Sequence, residues 1–462
     1  MLLDIKNMLN ESVKKFGDNS AYWVYDKEKK ICSITYNDYF CDVVGLGTSL
    51  IELGLKDKRI AIVGENSYEW VVSFLAAICG VGVAVPLDKQ LSKNELKQFL
   101  NNARCSCAVF STELEDVFWQ IRNDGTTGLE FFINMNKEKS DNDILALREI
   151  IAEGKKIDNH EYLNTKINHD ELCTIIFTAG TMGVPKGVSL SHKNIATEVE
   201  LLSKSLNISK DDIFFSSLPL HCASECICGI LFPLSKGASI SFCKEIKHNF
   251  EISGVKKYYI TESSSIVAID HNGLGFQLLP GMRAKISNPD PETGIGEICL
   301  AGDNIMMGYC DDPETTAKVL KNGWLYTGDL GWIEQDKYIH MVGRKDNVII
   351  TNGGNNVYPE ELEKLLNNIS YIKECMVWGE KTEEKNNEVV VAAIFINEDN
   401  VRKKLGKVNS KLELEQLIWG EITKINDGLP LFKRINKIVL RNEEFQKNSS
   451  GKIIRWYPAN KR

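Results

Sequence analysis

Residues Phe177 to Gly187 read FTAGTMGVPKG. Gly180, Gly183 and Gly187 free the backbone so that successive N–H groups can converge on an anion. Thr178 and Thr181 add hydroxyl donors, and Lys186 adds a mobile positive charge. A Walker A loop would carry Gly-Lys-Ser/Thr leading straight into a helix. Here Lys186 follows Pro185 and precedes Gly187, and the chain continues as the extended run GVSLSH. A helix is expected only afterwards, over HKNIATEVELLSKSL, with Ser191 as its N-cap. The reading is strand, phosphate-holding loop, strand.

Working outward, 462 residues with 43% apolar and 26% charged side chains describe a soluble globular protein of more than one domain. A net charge of −8 argues against a nucleic-acid partner. That charge is uneven: Val401 to Arg462 holds 15 basic against 6 acidic residues. Such an end is a solvated face, or one that meets a polyanionic cofactor. The N-terminal MLLDIKNMLNESVKKF shows no secretory signal, and the 13 cysteines have no framework spacing, so reduced thiols in a cytoplasmic protein are expected. Cys222, Cys226 and Cys228 lack a second ligand pair, which argues against a metal site. Trp70 to Leu87, WVVSFLAAICGVGVAVPL, is uncharged but changes character midway. It predicts a buried helix to Cys79, a terminating Gly80 and a buried strand, which is the product of a doubly wound α/β domain and not of a transmembrane span. Peripheral membrane contact stays open. Ser92-x-x-Glu95 predicts a capped helix over Leu91 to Ala103. From Gly323 the sequence turns strand-like and turn-rich, and a small α+β domain is expected to begin near Arg344 to Asp346.

At this point the chain resembles a known family. FTAGTMGVPKG is similar to the phosphate-binding signature of the adenylate-forming superfamily, which includes acyl-CoA synthetases, adenylation domains and luciferases. In the same order follow SSLPLHCASECICGILFPLSKGASI from Ser216, YYITESSSIVAID from Tyr258, GEICLAGDNIMMGY from Gly296, WLYTGDLG from Trp324, GRKDNVIITNGGNNVYPEELE from Gly343 and NSSGKIIR from Asn448. The Ser216 segment resembles the form found in long-chain fatty acyl-CoA synthetases. The resemblance spans nearly the whole chain.

It implies an α/β fold: a large N-terminal AMP-binding domain (1–343) of parallel sheets flanked by helices plus a distorted barrel, and a small mobile α+β lid (344–462). It also implies a two-step reaction, in which a carboxylate, in the first instance a fatty acid, is converted by ATP to acyl-AMP and then transferred to CoA. By resemblance Thr178, Ala179, Gly180, Thr181, Met182, Gly183 and Lys186 hold the β- and γ-phosphates, with Thr178 and Glu262 on Mg²⁺. Thr261 lies near the α-phosphate, Tyr258 stacks on adenine, and Asp329 and Arg344 take the ribose. Lys452 bridges carboxylate and α-phosphate, Asp346 is the hinge, and His221 lines the acyl pocket, although its composition fits a core histidine equally well.

The sequence departs from the pattern in several places. Ala179 and Met182 each replace a hydroxyl residue. Cys222 stands where a histidine is usual, and Tyr259 where glycine is usual. Between about 242 and 258 several tens of residues are missing, so exposed apolar sheet edges are expected. Three readings stay open: an acyl-CoA synthetase with a shortened pocket, an impaired paralogue that keeps nucleotide or partner binding, and adenylation with transfer to an acyl carrier protein.

Overall fold

The computed structural model describes residues 4–178, 185–335, 337–351, 355–381, 388–405, 411–447, 451–455 and 457–461. They form two compact units. The first comprises Met1–Gly180, Pro185–Ala284 and Leu300–Leu325; the second comprises Lys285–Cys299 and Tyr326–Arg462.

The larger sheet of the first unit is built on short apolar strands buried on both faces. β3 (Arg59–Val63), β4 (Val83–Leu87), β5 (Cys107–Phe110), β6 (Phe131–Asn134), β7 (Leu145–Ala146) and β8 (Leu172–Thr178) run in the order β7-β6-β5-β3-β4-β8 and pair in parallel. Both-face burial accounts for their continuous runs of Ile, Val, Ala and Phe. β9 (Lys186–Ser191) adds antiparallel to β8, and the two-residue strand Gly308–Tyr309 adds antiparallel to β9. Trp70 to Leu87 folds as expected. A helix over Tyr68–Ala76, capped by Ser67, widens into a π-turn through Gly80, and Val83–Leu87 continues as a strand. Ser92 and Glu95 form the expected capping box, and Ser191 caps the helix His192–Ser205.

A smaller sheet has the order β10-β11-β1-β2, with β1 (Ser20–Tyr25), β2 (Ile31–Thr35), β10 (Ile213–Phe215) and β11 (Ser239–Ser241). The shortened segment follows β11, and here the expectation of an exposed apolar edge is overturned. Asn249 and Phe250 lie along the free side of β10: their N–H groups donate to Ile213 O at 3.2 and 3.4 Å, and Phe215 N donates to Phe250 O at 3.0 Å. Asn249 Oδ1 accepts from Ile213 N at 2.9 Å, and the Phe250 ring lies 4.4 Å from that of Phe214, which is 1% exposed. Two residues thus supply the pairing and ring cover of a missing strand. β12 (Lys257–Ile260), β13 (Ser265–Ile269) and β14 (Phe276–Leu278) follow as an antiparallel ladder.

The second unit contains, from Tyr326 on, the hairpin of Trp324–Glu334 and Tyr338–Arg344. It also holds a three-stranded sheet of Ile372–Lys381, Glu388–Ile396 and Lys437–Arg441. The helix Pro359–Leu366, with proline at its start and Glu360 and Glu361 in its first turn, joins the helix Lys411–Asp427 around one core. By compactness Tyr326–Gly343 goes with the residues after it, because the hairpin sets Asp329 opposite Arg344. No helix among the described residues is long and apolar enough to cross a membrane. All thirteen cysteines are free thiols, nine of them buried.

Candidate functional site

Cross-strand register assembles the site in the first unit. Thr178, the last residue of β8, lies opposite Lys186, the first of β9. Val188, two residues on and therefore on the same face, lies opposite Tyr309. The Lys186 ammonium accordingly sits 4.9 Å from the Tyr309 ring centre. On the other side the Tyr309 hydroxyl donates to Glu262 Oε1 at 2.8 Å. Glu262 belongs to the 3₁₀ turn Thr261–Ser263 that ends β12, and its carbonyl accepts from Met306 N at 2.8 Å. Thr178, Lys186, Thr261 and Glu262 are all half-buried. Ala179, Gly180, Thr181, Met182 and Gly183 lie outside the described residues.

A buried polar network fixes that turn. Ser264 has φ +67°, a strained setting for a residue with a Cβ, and its hydroxyl donates to Asn304 O at 2.7 Å. Asn304 Nδ2 donates to Ser263 O at 3.1 Å and to Glu198 Oε2 at 2.9 Å, while Glu198 Oε1 accepts from Ile266 N at 2.7 Å. Burial pushes the Glu198 carboxyl up to about 8, against the opposing pull of these two hydrogen bonds.

The donor set next to Lys186 is one hydroxyl and one carboxylate, and among the described residues no three His, Cys, Asp or Glu side chains gather. Hard oxygens of that number fit Mg²⁺ held jointly with phosphate oxygens and water, not in a closed protein cage.

The other expected residues are distributed as follows. Tyr258 is 4% exposed and packs against Phe276, with ring centres 6.3 Å apart. Tyr259 is half-buried, its ring centre 5.8 Å from the Lys257 ammonium. His221 Nε2 is 3.7 Å from Asp88 Oδ2; burial lowers the imidazole pKa and Asp88 opposes the shift. The loop before His221 is anchored by Asn66, which donates to Ser216 Oγ at 2.9 Å and Leu218 O at 2.7 Å. One turn on, burial pushes the Glu225 carboxyl up to about 8. The Ser216 hydroxyl and the Leu218 and Ser217 N–H groups oppose that shift without reaching hydrogen-bonding geometry. In the second unit Arg344 Nη1 donates to Asp329 Oδ1 at 2.8 Å, and Asp329 is 4% exposed. Asp346 lies exposed on the 3₁₀ turn Lys345–Asn347. Lys452 is exposed on a loop closed by a bridge between Lys447 and Ile453, of which residues 448–450 lie outside the described residues.

Sequence reasoning passed over Tyr309, although the motif GEICLAGDNIMMGY ends with its neighbour Gly308 and with Tyr309 itself. It also passed over Glu198, an acid amid the apolar spacing of Ile195, Val199 and Leu202, which was the one available signal of a buried carboxyl.

A family model described as AMP-binding enzyme matches residues 9–262, and a model of the AMP-binding enzyme C-terminal domain matches 346–459. The chain belongs to the AMP-binding enzyme family. Within this adenylate-forming group, 4-coumarate–CoA ligase 2 of Solanum tuberosum is 27% identical over 378 residues, covering 64% of this chain and 66% of the potato protein. Crotonobetaine/carnitine–CoA ligase of Salmonella typhimurium is 24% identical over 528 positions, covering 98% of each chain. As that alignment is longer than this 462-residue chain, several tens of positions in the relative have no counterpart here. The solved anthranilate CoA ligase AuaEII, in complex with anthranoyl-AMP, matches with a TM-score of 0.81, 18% identity and coverage of 98% of this chain and 96% of its own. The AMP-binding enzyme described here therefore has the fold of the adenylate-forming ligases, with a larger and a smaller domain. These findings support adenylate-forming CoA-ligase chemistry with ATP and CoA as reactants. The acids named for these relatives are not long-chain fatty acids.

Proposed function

We propose that this AMP-binding enzyme is an acid–thiol ligase. A carboxylate oxygen attacks the α-phosphorus of ATP, pyrophosphate leaves and acyl-AMP forms; a thiol, that of CoA, then takes the acyl group and AMP leaves. The observation that carries this reading is the convergence of Thr178, Lys186, Tyr309 and Glu262 across β8, β9 and the Gly308–Tyr309 strand. Two anions must meet for the first step, so neutralising and positioning phosphate oxygens is the main demand on the protein.

In this reading the loop from Thr178 to Lys186 holds the β- and γ-phosphates. Thr178 and Glu262 would hold Mg²⁺, which would supply charge neutralisation on those oxygens. Thr261 donates near the α-phosphate. Asp329, oriented by Arg344, accepts from the ribose hydroxyls, with Arg344 as a second ribose contact. Lys452 steadies the incoming carboxylate against the α-phosphate. Asp346 is the hinge between 1–343 and a mobile lid, 344–462, whose basic end faces CoA phosphates. His221 lines the acyl pocket. The acid is apolar, with a fatty acid as first candidate; support comes from the apolar run after His221, where Ile227, Ile230 and Leu231 are buried. A cytoplasmic site of action is part of this reading, supported by the free thiols.

A second reading, an impaired paralogue that binds nucleotide without completing the reaction, is favoured by one observation. Tyr258, the expected adenine-stacking ring, is 4% exposed and already packed against Phe276. ATP–pyrophosphate exchange against fatty acids, coumarate, anthranilate and carnitine separates the two. Exchange with one acid, lost in Lys452→Ala, supports the ligase. Absence of exchange with every acid despite ATP binding establishes the impaired paralogue, and exchange indifferent to Lys452→Ala removes the role given to that lysine. A thioester formed with a carrier protein and not with CoA would change the acceptor.

A further inference from the structure

We infer that Tyr309 is a positioning residue that holds the Lys186 ammonium and the Glu262 carboxylate apart at one fixed spacing, so that both stay available to a magnesium–triphosphate. This rests on the ligand proposed above. A lysine and a glutamate flanking one site ordinarily relieve their desolvation by pairing with each other, which would leave neither for a ligand. Here the phenol stands between them: its ring faces the ammonium at 4.9 Å and its hydroxyl occupies Glu262 Oε1 at 2.8 Å. Among the described residues no ion pair joins Lys186 to Glu262. One hydrogen bond to a carboxylate orients it while its second oxygen remains a metal donor.

The backbone around Tyr309 is fixed as a positioning role requires. Tyr309 N donates to Thr316 Oγ1 at 2.8 Å, Cys310 N to Gly187 O at 2.7 Å and Met307 N to Ser189 O at 2.9 Å. Gly308 has φ +149°, and a Cβ there would lie 2.8 Å from the Thr316 side chain, so only glycine lets this strand close on β9. The Tyr309 ring is thus tied to the same hairpin that carries Lys186, while its hydroxyl reaches the turn that carries Glu262.

The test is Mg·ATP binding by titration calorimetry on the purified full chain, repeated across a range of Mg²⁺ concentrations. It compares the unaltered protein with Tyr309→Phe, Glu262→Gln and the double variant. Tyr309→Phe, which keeps the ring and removes one oxygen, is expected to weaken Mg·ATP about 5- to 10-fold and to raise the Mg²⁺ needed for half-saturation, with ATP affinity in the absence of Mg²⁺ unchanged. The double variant is expected to bind no worse than Glu262→Gln alone. Tyr309→Phe binding with unaltered affinity and Mg²⁺ dependence, or losses that add fully in the double variant, would overturn the role of Tyr309 and leave the ligase reading standing. Failure of the unaltered protein to bind Mg·ATP would overturn both.

Discussion

The two sheets of the first unit solve opposite problems with the same chain. In the larger sheet every parallel strand but the two-residue edge strand β7 has neighbours on both sides, and the antiparallel end at β8 and β9 presents polar groups, Thr178, Lys186 and Tyr309, on one face. In the smaller sheet the segment after β11 is short, and β10 would be an open edge without Asn249 and Phe250. The first arrangement displays half-buried chemistry on a braced frame. The second spends its side chains on closing the frame, and it offers no group to the site described. The shortening therefore falls on the sheet that does not carry Thr178, Lys186 and Tyr309.

If that separation holds, damage to the small sheet costs stability and leaves nucleotide binding alone. The largest effect is expected from Phe214→Ala, which empties a side chain buried at the repaired edge. Chemical denaturation should show a loss of about 3–5 kcal/mol, with Mg·ATP affinity of the folded fraction unchanged. A parallel loss of affinity would break the comparison. Next in size is the reverse case, Glu262→Gln, which removes a charge from the larger sheet's site. Pyrophosphate exchange should fall about 100-fold with the denaturation midpoint nearly unmoved. Asn249→Ala then sharpens the edge argument, since it strips Ile213 N and Asp212 of their side-chain partner. A loss of about 1–2 kcal/mol is expected, and a neutral result would show that the backbone of Phe250 alone closes β10.

The smallest effect is a slope with pH. Glu198 is raised from its ordinary 4.5 to about 8 by burial, so between those values the folded chain binds a proton that the unfolded chain has released. Stability contributed by the neutral carboxyl is complete below about pH 4.5 and is lost as pH rises toward 8. Glu225, raised in the same direction by its own burial, adds to that slope. Glu198→Gln should flatten it in part, since the amide does not titrate in this range and can still accept from Ile266 N. An unchanged pH profile of thermal unfolding in that variant would place the slope elsewhere.

Much of this was legible beforehand. The helix-to-strand change through Gly80, the capping box at Ser92, the N-cap at Ser191, and the extended runs on both sides of the 177–187 loop all rest on neighbours a few residues apart. The opposition of Asp329 and Arg344 was half visible, as two residues expected at one ribose. The Glu262–Tyr309 hydrogen bond was not, because the partners are 47 residues apart and meet only through strand order. Nor was the repair of β10: composition shows that a segment is short, but whether its remnant can turn back onto the edge depends on where Asn249 falls.

The sequence by itself determined the family, the alternation of apolar strands and amphipathic helices, and the hairpin with its glycines and lysine, since these depend on residue type and short-range spacing. Tertiary structure alone decided that Tyr309 stands between Lys186 and Glu262, that Glu198 is buried under the turn carrying Thr261 and Glu262, and that β10 is covered. The reason is physical: register between distant strands is set by the summed packing of whole faces, and no local pattern encodes that sum.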